Sequence, residues 1–137
     1  MVAYTQNTLL MFGGTLADGT ISNELWSFIV TVNTGTWQRQ ATTGNLQMPG
    51  LTDHTACIVD DRYLYIYGGR SESVNFMSKM YRYDFTNYHW EEVNYRGGTI
   101  SDLRVSGHSM VYHPESRSLI VFGGFKPRYS RRVCYHP

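Results

Sequence analysis

The chain has 137 residues, 42% hydrophobic and 17% charged, which suits one folded domain and excludes a disordered tail. Its 12 basic and 11 acidic side chains leave a formal charge of +1, so no general field exists for nucleic acid or a membrane surface. Two cysteines exclude a disulfide-dense scaffold, and four-residue apolar runs such as Leu9–Phe12 fall far short of the about 20 a spanning helix needs.

Met1–Gln6 has neither a basic cluster nor a long apolar stretch, so no secretory leader is expected there. Leu9–Phe12 reads as a strand that stops at Gly13-Gly14. A polar loop, Thr15–Glu24, leads to the alternating segment Leu25–Phe28 and then to Trp37. The long polar stretch Gln38–Asp53 ends at His54, which opens a strand to about Val59. Asp60-Asp61 marks a turn, Tyr63–Tyr67 a second strand, and Gly68-Gly69 its end. After the loop Arg70–Ser78, strands are expected at Lys79–Phe85 and Trp90–Val93 about a Thr86-Asn87 turn. Asn94–Gly107, with Gly97-Gly98, leads to His108 and the strand Ser109–Tyr112, and Leu119–Phe122 runs into Gly123-Gly124. The end, Lys126–Arg132, carries four positive charges and Pro127, as a loop of an interrupted unit would.

These landmarks repeat. The glycine pairs recur at 13, 68 and 123, a step of 55 residues each time; a spaced aromatic and a tryptophan follow the first two, and a histidine precedes the last two. Each unit therefore reads as four short strands, and no stretch has helical periodicity. The second strand of a unit is nearly continuous in apolar residues, which predicts burial on both faces. The third alternates more, which predicts a half-buried strand.

Four hydrophobics, a Gly-Gly pair, a spaced aromatic and a tryptophan resemble the kelch repeat over roughly residues 1–125. The resemblance implies an all-β fold, a partial β-propeller of about two and a half four-stranded blades. The units fall at about 1–45, 46–98 and 99–125, the last incomplete, with 126–137 a basic tail. The long period, with Gly107-His108-Ser109 and Phe122-Gly-Gly-Phe125, is similar to the propellers of attractin and its multiple-EGF-domain relatives. Those are extracellular and membrane-anchored, whereas intracellular long-repeat kelch proteins such as host cell factor carry similar units. The lean is extracellular, with a cytoplasmic location as the alternative; no Asn-X-Ser/Thr sequon is present.

His54 lies 14 residues before Gly68, and His108 15 before Gly123, so the histidine matching Gly13 would fall just before Met1. The chain is thus expected to be incomplete at both ends, a fragment of a longer propeller with open blade faces and a tendency to self-associate. A closed six-bladed ring would take about 330 residues at this period.

Strand alternation puts the long loops at one end of the blades, where binding residues collect. Arg70, Phe76, Tyr95, Arg96 and Arg104 are the protein-binding candidates, since Arg and aromatics anchor interfaces and arginines suit an acidic or phosphorylated peptide. The alternative is solvated charges paired with Glu72 or Asp102. Gly13, Gly14, Gly68, Gly69, Gly123 and Gly124 with Trp37, Trp90, His54 and His108 form the structural blade signature, and each histidine is expected to tie an incoming loop through both ring nitrogens. Cys57 reads as a buried inert thiol and Cys134 as exposed, with a disulfide between them neither required nor excluded. No cofactor, metal site or catalytic residue is expected. The readings are a protein-interaction module with an unknown partner, an inert truncated fragment, and a copper-oxidase-like propeller, which would need convergent Tyr, His and Cys residues.

Overall fold

A computed structural model describes residues 1–95 and 103–125, and strands dominate that span. The first sheet has the order β1 (Val2–Thr5), β2 (Thr8–Phe12), β3 (Leu25–Val30) and β4 (Gly35–Arg39). The second repeats it with β5 (Thr55–Val59), β6 (Tyr63–Tyr67), β7 (Met80–Asp84) and β8 (His89–Val93). The third pairs β9 (Ser109–His113) with β10 (Ser118–Phe122). All pairings between these strands are antiparallel, and none of the described sheets is closed. The fold is an open, partial β-propeller.

Two apolar layers separate the three sheets. Leu10, Phe12 and Leu25 of the first sheet meet Leu64, Ile66, Tyr81, Tyr83 and Trp90 of the second. Cys57, Val59, Tyr65, Tyr67 and Met80 on the other face of the second sheet meet Met110 and Leu119 of the third. Alternation along β6 thus sends Leu64 and Ile66 one way and Tyr65 and Tyr67 the other, and all four are buried. The aromatic rings fill space and carry polar ends that find partners. The hydroxyl of Tyr83 donates to the Ala41 carbonyl at 2.5 Å, and that of Tyr67 to the Leu103 carbonyl, each on the linker of an adjacent unit.

Burial on both faces holds for β6 but not for β2 or β10, whose sheets have a neighbour on one side among the described residues. The expectation of a half-buried third strand fits β3 and fails for β7. In β7 only Arg82 keeps intermediate exposure, because Met80 enters one layer while Tyr81 and Tyr83 enter the other. Asp84 is buried because Arg62 grips it at 2.6 Å and Thr86 donates to it twice. The Arg62 guanidinium holds the Asp84 carboxyl well below the usual carboxylate range.

The glycine pairs are where one unit meets the next. Gly14 donates its N–H to the Leu51 carbonyl at 2.8 Å, Leu51 donates to Ser22 at 3.2 Å, and Ser22 donates back to Gly14 at 2.9 Å. Gly69, Val105 and Met77 repeat the cycle at 2.7, 3.0 and 2.9 Å. Three backbone segments satisfy one another in each ring, fully buried in the second and half-buried at Gly14 and Ser22 in the first, which removes the cost of unpaired amides between sheets. A Cβ at Gly13 would stand 2.3 Å from the Leu51 oxygen, and one at Gly68 2.6 Å from the Val105 oxygen; both glycines also have φ near +65° (64° and 66°).

Gly68→Ala is therefore expected to cost about 3 kcal/mol, from the left-handed backbone plus the carbonyl overlap, lowering Tm by roughly 10 °C. Gly19→Ala, at φ 88° with nothing within 4 Å, should cost only about 1 kcal/mol. Equal losses in denaturant unfolding of the two variants would contradict the junction argument.

Candidate protein-binding surface

Antiparallel succession places the β2–β3, β4–β5, β6–β7 and β8–β9 connections at one end of the sheets. They are the long ones. The remaining connections are tight turns in which Asp60, Asp61, Tyr88 and Arg117 adopt positive φ. At the long-loop end the loops are tied to one another. Thr52 and Arg70 exchange backbone hydrogen bonds at 2.9 and 2.7 Å, and Ser106 and Phe125 do the same at 3.1 and 2.8 Å. Asn23 donates to the Met48 carbonyl at 3.1 Å, and Gly107 to the Asp53 carbonyl at 2.7 Å. Between the first two units these loops frame a cleft of about 340 Å³, with Ile21, Asn23, Pro49 and Gly50 opposite Ser71 and Glu72. Some loop side chains, such as Met48, Leu51 and Met77, pack inward and fix the loops to the sheets, which leaves the tips outside.

The five binding candidates separate. Arg70 lies at this end, and its guanidinium bonds Asp53 at 2.6 Å; Asp102 lies outside the described residues. Arg104 is exposed there, and Phe76 is half-buried. Tyr95 is half-buried: its ring packs edge-on against Tyr67 at 5.8 Å and its hydroxyl donates to the Ser78 carbonyl. Tyr95 is thus packed on the second layer and only partly open to a partner. Arg96 and Cys134 lie outside the described residues. Two apolar tips were missed by the sequence reading, Leu16 at 52% and Val74 at 41% exposed. Each is an aliphatic residue near the tip of a mostly polar loop.

Most other charges are used inside the blades. Arg39 pairs with Glu24 at 3.0 Å, Lys79 with Glu92 at 2.8 Å, and Arg82 with Glu91, while Arg82 also lies over the Tyr63 ring at 4.5 Å. Cys57 is buried in the second layer, which pushes its thiol up to about 12 and keeps it protonated. Among the described residues no three His, Cys, Asp or Glu side chains converge.

The histidines mark the junctions. His108 Nε2 and Thr55 Oγ1 are 2.7 Å apart, joining the third unit to the second, and the His108 ring stands edge-on to Tyr67 at 5.4 Å. His54 repeats the ring contact with Phe12 at 5.6 Å. The expected use of both ring nitrogens is not seen at His54, whose buried Nδ1 has no hydrogen-bond partner. Trp90 is 2% exposed between sheets, while Trp37 packs on Phe28 at 4.8 Å and stays 46% exposed.

The repeated junction, the four-stranded sheets and the loop platform together specify a propeller of defined type, and sequence comparison agrees. The Attractin/LZTR1 beta-propeller family matches residues 1–135. The chain belongs to that family. It is 40% identical over 134 residues to multiple epidermal growth factor-like domains protein 8 of Homo sapiens, covering 92% of this chain and 5% of that protein. The Rattus norvegicus and Mus musculus counterparts are each 39% identical over 133 residues, 91% of this chain and 5% of those proteins. The resemblance to kelch propellers of the attractin type thus holds, and the chain spans only a small part of the relatives it matches.

Burial, then the nearby chain N-terminal ammonium, pull His54 down to about 4 from an ordinary 6.5. The unfolded chain then binds the extra proton between those values, so stability falls as pH drops from 6.5 to about 4. The loss from this one group is on the order of 2–3 kcal/mol. Urea unfolding at pH 7 and pH 4.5 should show that loss in the native chain and a smaller one in His54→Gln; an identical loss in both would contradict the assignment.

Proposed function

We propose that this chain is a protein-binding unit of a larger membrane-anchored protein, and that it engages its partner outside the cell through the long loops at one end. The observation that carries the reading is the loop platform: four connections gathered at one end and pinned by reciprocal backbone bonds at Thr52–Arg70 and Ser106–Phe125. Leu16 and Val74 supply apolar contact, Arg104 supplies charge and directional donors, and the cleft between Ile21 and Glu72 can receive a side chain. Arg70 is the second cation of the site, available by exchange of Asp53 for an acidic group on the partner. The reading is one of binding rather than catalysis because the blades' ionisable groups are engaged in pairs that hold strands together.

The name shared by the relatives points to epidermal growth factor-like domains alongside such a unit. Those modules are disulfide-built, which supports an oxidising, extracellular setting.

An ectodomain array probed with the chain tests this reading. A bound ectodomain should lose at least about tenfold in affinity, roughly 1.4 kcal/mol, with Leu16→Asp plus Val74→Asp. It should be unaffected by Val32→Asp, a substitution at a fully exposed turn of the opposite end, where Val32 is 99% exposed. Binding that is lost with Val32→Asp and kept with the loop variant would overturn the assignment.

A further inference from the structure

The β4–β5 linker arches over the junction of the first two sheets and frames a second cavity, beside the cleft at Glu72 and sharing Asn23 with it. Both feet of the arch are pinned. At the near foot the Ala41 carbonyl accepts the Tyr83 hydroxyl at 2.5 Å, and Thr43 donates its N–H to the Tyr88 carbonyl at 2.7 Å and its hydroxyl to the Asn87 carbonyl at 2.8 Å. Gly44, at φ 85°, lies so close to the His89 ring that a Cβ would stand 2.2 Å from it. At the far foot Met48 packs into the first apolar layer, and its carbonyl accepts Asn23 Nδ2 at 3.1 Å. The cavity, about 270 Å³, is therefore built into the scaffold. All of its lining comes from the first two sheets and the linker between them, so neither end of the stack is needed to form it.

The lining has two kinds of surface. Leu25, Met48 and Trp90 belong to the first apolar layer and supply hydrocarbon. Asn23, Gln40, Thr42 and Gln47 supply three amides and a hydroxyl, groups that each donate and accept. The two charged residues of the lining, Glu24 and Arg39, pair with each other at 3.0 Å, so the site has no net charge. Its volume is just below the about 300 Å³ at which ligand pockets usually begin, which suits one ring-sized group rather than a length of peptide.

We infer that this cavity binds a neutral saccharide ring. The hydroxyls of a sugar donate and accept in turn, as the amides of Asn23, Gln40 and Gln47 do, and its C–H groups need apolar surface such as Leu25, Met48 and Trp90 provide. A hydrocarbon ligand would strip water from those amides and leave them unpaired, which costs free energy. An acid or an amine would meet a charge that already has its partner. The polar side chains Thr42 and Gln47 are exposed, so the ring enters from solvent over the linker. One ring held by a few hydrogen bonds gives a Kd of about 1–10 mM.

Amide NMR spectra of the isotope-labelled chain, titrated with the methyl glycosides of glucose, galactose, mannose and N-acetylglucosamine to about 50 mM, read this directly. At least one glycoside should move the amides of residues 42–47 and the Trp90 indole N–H along a saturating curve. Gln47→Ala plus Thr42→Val should weaken that binding by at least about fivefold, since two hydrogen-bonding groups are lost. A dispersed amide spectrum confirms that the variant folds, and Gln47→Ala alone serves if the pair does not. Leu16→Asp plus Val74→Asp should leave the titration unchanged, so the cavity and the protein-binding loops stand or fall separately. No shift of these amides with any of the four glycosides would overturn the inference. So would a variant that binds like the native chain, or tighter binding of methyl glucuronide, an acid, than of the neutral rings.

Discussion

The cyclic backbone contact at each glycine pair is the constraint on which the stack depends. Gly14, Leu51 and Ser22 close one ring of hydrogen bonds, and Gly69, Val105 and Met77 close the next. Each ring joins the end of a second strand, the loop that follows it and the linker entering the next unit. That fixes how near one sheet lies to its neighbour. Only a residue without Cβ fits at positions 13 and 68, where the linker carbonyl lies within van der Waals overlap. With spacing set, Phe12 and Tyr67 reach the edges of His54 and His108, and Tyr83 and Tyr67 reach linker carbonyls. The aromatic layers follow from the backbone clasp, and their burial in turn stabilises it.

Repetition made much of the fold legible. The segments Tyr63–Tyr67 and His54–Val59 read as strands because apolar runs ended at turn residues with fixed spacing, and the sheets place them there. What repetition concealed is that like units sit in unlike surroundings. Trp37 and Trp90 are equivalent in sequence and in register, yet one is open and the other buried, because only the second sheet lies between two others. The alternation of β7 suggested one wet face. The guanidinium of Arg82 instead lies over the Tyr63 and Tyr65 rings and bonds Glu91, so a charged residue occupies a face that is otherwise covered.

The candidate surface was legible as an end of the fold rather than as a set of side chains. Loop length and strand parity place the long connections together. They do not say which loop residues fold inward. Tyr95 is drawn into the second layer because Tyr67 and the Ser78 carbonyl are within reach, and Arg70 is held by an aspartate that precedes it by a full pair of strands. Leu16 and Val74 stay outside because the turns that hold them leave no apolar neighbour to cover them. A scaffold held by backbone rings and aromatic layers leaves loop tips free to vary without loss of fold.

Native-state hydrogen exchange tests the central claim most directly. If the clasps hold the stack, the amides of Gly14, Gly69, Leu51 and Val105 should exchange as slowly as those of Leu64–Tyr67 in the middle sheet, and far more slowly than those of the exposed strand β4. Clasp amides that exchange as fast as β4, with β6 still protected, would show that the sheets are held by side-chain packing alone and would contradict the account.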